Sequence, residues 1–229
     1  MSDLFMVFDV ESIGLHGEGF AVGYVVVNRQ GERLEERVLS CDPEEAQGSS
    51  EGHAWVSENV PALPFVFPKQ RLMRDAFWAR WLYWKDLGAV LVADCCWPVE
   101  ARFLIACVDD DRSGREWEGP YPLHDLASVL LANGANPLAV TERLPDELPA
   151  HHPLHDARQS ARQLLDALTQ KKPTDAMIDA YLTAQRATVE EADRFGRPNI
   201  GGLHTNTVRE ACRAGLTAAI DKAKAPPSP

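Results

Sequence analysis

The sequence predicts an α/β fold: a central mixed five-stranded sheet flanked by helices, with a helical C-terminal extension. Three observations carry this expectation. Short apolar runs of strand length recur between segments of helical period. Three such runs, separated by turn residues, come before any strong helix. Hydrophobic residues make up 45% of the 229 residues, enough for one sizeable core.

Taken in order, residues 4–10 are apolar, β-branched and aromatic, and residues 19–28 (GFAVGYVVVN) repeat that character, so both are expected strands. A turn containing glycine separates them. Asn28-Arg29-Gln30-Gly31 supplies a hairpin turn into residues 32–40, whose alternation predicts a third, partly exposed strand. Residues 41–70 are polar early and Pro-rich late with no sustained period, which predicts a long loop or insertion over the functional face, a candidate substrate lid. In residues 71–87, Leu72, Ala76, Phe77, Trp81 and Trp84 recur close to the helical period, giving an amphipathic helix that Gly88 ends. Residues 89–93 read as a buried strand, and Pro98 suits the first position of a helix over about 97–108. Residues 121–123 are the expected fifth strand, leading into a helix over 125–133 closed by Gly134. After Pro153, Ala157, Ala161, Leu164, Leu165 and Leu168 share one face of a helix that ends near Lys171-Lys172-Pro173. The main domain is therefore expected at residues 1–172, a helical extension at 173–221 and a disordered tail at 222–229.

Composition narrows the function classes. No apolar run reaches the roughly eighteen residues of a membrane span, and Met1-Ser2-Asp3-Leu4-Phe5 lacks the basic region of a secretory signal, so a cytoplasmic protein with no membrane partner is expected. The five cysteines (Cys41, Cys95, Cys96, Cys107 and Cys212) are odd in number and form no CxxC pair, which fits reduced thiols better than a disulfide framework or zinc ribbon. A formal net charge of −11 argues against a protein that coats nucleic-acid backbone. It leaves room for an enzyme that grips one strand end, because a carboxylate cluster awaiting a divalent metal contributes negative charge itself.

Two clusters carry chemistry. Asp9-Val10-Glu11 ends the first strand, where period two sends both carboxylates to the same face as hard oxygen ligands. Taken alone, such a pair is weak evidence, because two acids flanking a β-branched residue usually mark a solvated strand edge. In His151-His152-Pro153-Leu154-His155-Asp156, Asp156 opens a helix and can reach a metal, while His151 on the preceding loop can stand near a water to be deprotonated. An imidazole suits that role with its ordinary pKa of about 6.5. The same cluster also reads as a surface loop, or as a transition-metal site built from His151, His152 and His155.

Phe8-Asp9-Val10-Glu11-Ser12-Ile13-Gly14-Leu15 resembles the first motif of the DEDDh 3′-to-5′ exonucleases, FD-x-E-T/S-x-GL, with Ser12 in the place of the common threonine. That family has a ribonuclease H-like fold and includes oligoribonuclease, ribonuclease T and polymerase proofreading subunits. His151 and Asp156 are similar in spacing to its third motif, a histidine five residues before an aspartate that opens the last helix. The resemblance covers residues 4–170. The middle motif departs from the family pattern N-x-x-F-D-x-x-F/L-L: the chain has Asp94-Cys95-Cys96-Trp97-Pro98-Val99-Glu100-Ala101-Arg102-Phe103-Leu104. Counting back from Phe103 puts Glu100 at the aspartate's place with one extra residue in the turn, and Asp94 at the strand end is the other candidate.

The resemblance implies a ribonuclease H-like fold and hydrolysis at the 3′ end of single-stranded RNA or DNA, releasing nucleoside 5′-monophosphates. Two Mg²⁺ or Mn²⁺ ions would be held by Asp9, Glu11, Asp156 and either Asp94 or Glu100, with His151 as general base and no role for His152 or His155. It places Ser12 and Leu15 on the substrate side, Leu15 as an apolar wedge against the terminal base. Many relatives dimerise, so a homodimer is a candidate assembly. Two rival readings stand beside this one: a catalytically impaired nucleic-acid-binding protein of the same fold, and a His-rich zinc hydrolase. The aromatic run Phe77, Trp78, Trp81, Tyr83 and Trp84 is expected in the core, with base stacking as the alternative. Arg71, Arg74, Arg80, Arg158 and Arg162 are candidate phosphate contacts that solvated helix faces explain equally well.

Overall fold

The computed structural model describes residues 3–169. The three opening strands are β1 (Leu4–Ser12), β2 (Gly19–Asn28) and β3 (Arg33–Ser40), an antiparallel meander. β4 (Val90–Ala93) pairs parallel with the other side of β1, and β5 (His124–Asp125) pairs parallel with β4. The sheet is therefore mixed and five-stranded, in the order β3-β2-β1-β4-β5. The helices are α1 (Ser50–Asn59), α2 (Gln70–Asp86), α3 (Ala101–Asp110), α4 (Arg112–Arg115), α5 (Leu126–Ala132) and α6 (Pro153–Thr169).

Period two divides β1 between two layers. Met6, Phe8 and Val10 pack with Val22, Tyr24 and Val26 against Phe77 and Trp81 of α2 and Phe103 of α3. Phe5 and Val7 face the opposite way, with Val25, Val27 and Val92, against Leu126 of α5 and Ala157, Ala161 and Leu164 of α6. Asp9 and Glu11 continue this second set. The same alternation that builds the core thus directs the two acids to the α6 side.

The structure departs from the sequence expectations in three places. Residues 41–70 are not simply a loop: they contain α1, capped by Ser49, whose hydroxyl accepts the Gly52 N–H at 3.0 Å. This helix buries only Gly52 and Val56, so it has no apolar stripe from which a helical period could be read. The fifth strand lies at His124–Asp125 rather than 121–123, because a two-residue ladder needs no apolar run to mark it. Trp97 is extended (φ −122°, ψ 135°), and the regular helix begins only at Ala101. As expected, Phe77, Trp78, Trp81 and Trp84 are buried in the core, whereas Tyr83 of the same run is exposed. The domain boundary expected at 172, the helical extension at 173–221 and the tail at 222–229 fall outside the described residues.

Candidate active site

Five carboxylates converge at one end of the sheet. Asp9 and Glu11 lie on β1, and Asp94 follows the last residue of β4, whose Ala93 pairs with Phe8, so Asp94 stands beside Asp9. Beyond the end of β4, the buried Glu100 lies close enough to Asp9 and Glu11 for its charge to raise both carboxyls. Asp156 arrives from the first turn of α6. The sequence offered Asp94 and Glu100 as alternatives for one place, and the structure brings both to the cluster.

Electrostatics record how crowded the cluster is. Burial, followed by repulsion from Glu11, Glu100, Asp156 and Asp94, holds the Asp9 carboxyl well above the usual carboxylate range. Glu11, itself buried, is pushed up to about 8 by burial and then by Asp156 and Glu100. Burial raises Glu100 to about 7, with Asp94 adding to the shift. Asp94 is raised by burial as well, although the Ser160 hydroxyl donates to it at 3.0 Å and opposes the shift. Among the described residues, Arg143 is the one basic side chain paired with any of the five, through Asp156 at 2.5 Å. The site is a set of hard oxygen donors short of positive charge, a donor set of the kind that hard cations take.

A close backbone approach brings α6 to this position. Gly23 pairs with Asp9 across the β1–β2 ladder, and a Cβ there would stand 2.2 Å from the backbone of Pro153 and Leu154. The missing side chain lets the start of α6 lie directly on β2. His151 precedes it with φ +59°, a left-handed conformation that costs a non-glycine residue about 1–2 kcal/mol. Its N–H donates to Asp156 at 3.0 Å, which ties this turn to the carboxylate. Donor atoms of Glu11, His151 and Asp156 all lie within 4.8 Å of one another. His152 and His155 instead stack on each other with ring centroids 3.9 Å apart, so the described residues gather His151 with two acids rather than with its neighbouring histidines.

Of the residues expected on the substrate side, Leu15 is 66% exposed on the β1–β2 turn. Ser12 is buried, and its hydroxyl donates to the Gly14 carbonyl at 2.8 Å, so it shapes the turn that presents Leu15. Sequence reasoning missed Trp55 of α1, whose half-exposed ring stands edge-on to His151 at 5.0 Å. It also missed Arg143, Ser160 and Gly23. Gly23 alone carried a signal, since a glycine inside a strand run marks a close approach of backbone. Four of the five arginines expected on phosphate are spent internally: Arg74 on Asp110 and Glu18, Arg80 on Glu35, Arg158 on Glu36 and Arg162 on Glu147. No protein-family model matches this chain, and no curated protein matches it.

Proposed function

We propose that this chain is a 3′-to-5′ exonuclease of the DEDDh class on a ribonuclease H-like fold, hydrolysing phosphodiester bonds at the 3′ end of single-stranded RNA or DNA. The observation that carries the reading is the convergence of Asp9, Glu11, Asp94, Glu100 and Asp156, with His151 beside Glu11 and Asp156. Asp9, Glu11, Asp156 and Asp94 or Glu100 would hold two Mg²⁺ or Mn²⁺ ions. Bound there, such ions would supply activation of a water and neutralisation of charge on the leaving 3′ oxygen.

The chain's own side chains do the rest. An imidazole nitrogen of His151 takes the proton of the attacking water, and the hydrogen bond from its backbone to Asp156 holds the ring's turn at the carboxylates. Leu15 and Trp55, both exposed, offer apolar surface to the terminal base. Ser160 orients Asp94, and Arg143 orients Asp156.

The test is release of nucleoside 5′-monophosphates from 5′-labelled single-stranded RNA and DNA oligomers in Mn²⁺, with EDTA and Asp9→Asn as controls. A ladder shortening from the 3′ end, absent in both controls, is expected. Tight binding of the oligomer with no release would favour the catalytically impaired reading. Tightly held stoichiometric zinc, with activity that requires it, would favour the zinc hydrolase.

A further inference from the structure

We propose that the groove between the β1–β2 turn and α3 binds the strand upstream of the scissile bond: Arg102 takes a phosphate and the exposed ring of Trp97 takes a base. The inference rests on the exonuclease reading above and names the part of the substrate that the carboxylate cluster itself does not touch.

Three observations support it. First, both walls of the groove are continuous in the chain with the segments that carry the cluster. It has a volume of about 330 Å³ and is lined by His16, Trp97, Pro98, Arg102, Ile105 and Asp109. Trp97 and Pro98 sit on the segment bracketed by Asp94 and Glu100, and His16 follows Leu15 on the turn that leaves Glu11. A second cavity of about 190 Å³ shares Arg102 and continues past Phe103 towards Gln47 and Glu18. The two cavities thus form one track along α3, on elements that the chain joins directly to the site.

Second, the groove presents large side chains that the core does not use. Trp97 is 72% exposed and Ile105 57% exposed. A flat indole beside a polyanion site is suited to stacking, which tolerates any base because every base has a π-face.

Third, the charge is in the right place. Among the described residues every arginine except Arg71 and Arg102 is paired with a carboxylate. The carboxylate in the groove, Asp109, is itself occupied by Arg112. Arg102 thus stands in the groove as an uncommitted guanidinium in a chain of net charge −11, and its planar fork of donors matches phosphate oxygens. Arg71 is exposed on α2 and lines neither cavity.

The experiment is fluorescence anisotropy of a short 5′-labelled oligothymidylate with the full chain in Ca²⁺, across a salt series, for wild type, Arg102→Ala, Arg102→Lys, Trp97→Ala and Arg71→Ala. Arg102→Ala is expected to weaken binding about tenfold and to lower the slope of log affinity against log salt by about 0.7, the value for one phosphate contact on a single strand. Arg102→Lys should keep most of the slope. Trp97→Ala should weaken binding by about 5- to 100-fold. Arg71→Ala removes the same charge and should change affinity less than about twofold if location matters. Equal losses in Arg102→Ala and Arg71→Ala, or none in either, overturn the proposal. So does a Trp97→Ala protein that binds normally but has lost a dimer, which would assign the groove to a second copy. Turnover in Mn²⁺ is read separately. Hydrolysis with an Arg102-independent affinity sinks the groove and leaves the enzyme standing; Arg102-dependent binding without hydrolysis does the reverse.

Discussion

Gly23→Ala tests the packing that assembles the site. The added methyl would stand 2.2 Å from the Leu154 nitrogen and the Pro153 carbonyl carbon, and 2.4 Å from the Pro153 oxygen. Ordinary contact begins near 3.4 Å, so the first turn of α6 has to withdraw by about 1.2 Å. The opposing atoms are backbone, and no side-chain rotation can relieve the overlap. Overpacking of this kind costs about 1–3 kcal/mol. For a domain of this size that corresponds to a fall in Tm of roughly 2–12 °C. His151 and Asp156 move with the turn, away from Glu11, and a displacement near 1 Å at a catalytic group costs on the order of 100-fold in rate. The assay is thermal melting in EDTA and in Mn²⁺, together with Mn²⁺-supported turnover. A lower Tm in EDTA, a much smaller rise on adding Mn²⁺ and a large loss of turnover are expected. Wild-type melting would show that α6 does not depend on this approach. A lower Tm with an undiminished Mn²⁺ response would show that the approach does not position the ligands.

The other predictions concern charge. Glu11 titrates near 8 in the folded chain against 4.5 for an ordinary glutamate, so between those pH values the native state binds more protons, and metal-free stability falls as pH rises through that window. The full shift corresponds to at most about 5 kcal/mol, and sharing the repulsion among neighbours reduces it to about 1–3. Glu11→Gln should therefore melt higher than wild type at pH 8 in EDTA and converge with it near pH 4.5, while losing its response to Mn²⁺; a lower melt at pH 8 would contradict this. Asp94→Asn and Glu100→Gln should each reduce Mn²⁺-supported turnover at least tenfold, the scale of losses seen when groups around a metal are removed. Loss in only one identifies the ligand, and near-normal rates in both remove this region from the site. Arg143→Gln withdraws the cation from Asp156, so the protein should melt lower in EDTA yet reach half-saturation at a lower Mn²⁺ concentration; weaker Mn²⁺ binding would instead make Arg143 a support for the metal site.

How much of this was legible in the chain follows from the range of each signal. β1, β2 and β4 announce themselves because each is a dense apolar run that the core then buries on both faces. α2 and α6 do so because their buried residues recur at helical spacing. α1 and β5 give no such signal: one buries two residues and the other pairs two. Asp9 with Glu11, and His151 with Asp156, are local pairs within short motifs, so a resemblance of those motifs to a known family was enough to name them. The choice between Asp94 and Glu100 was not local. It depends on the extended backbone at Trp97, which is not written in the residues between the two acids.

The same distinction explains the charge of the chain. An excess of acids argues against a protein that coats nucleic-acid backbone, and part of that excess is concentrated in five carboxylates whose mutual repulsion disfavours the folded state. Among the described residues most arginines are consumed in holding acids elsewhere; Arg158 ties α6 to β3 through Glu36, and Arg162 ties it to the loop before His151 through Glu147. These pairs brace the helix that delivers Asp156 against the repulsion it meets there. The brace is paired with packing, since Ala157, Ala161 and Leu164 bury the same helix on the sheet. A cluster of acids that repel one another can persist only on elements held from outside it. Here β1, paired on both sides, and α6, packed and ion-paired, meet that requirement.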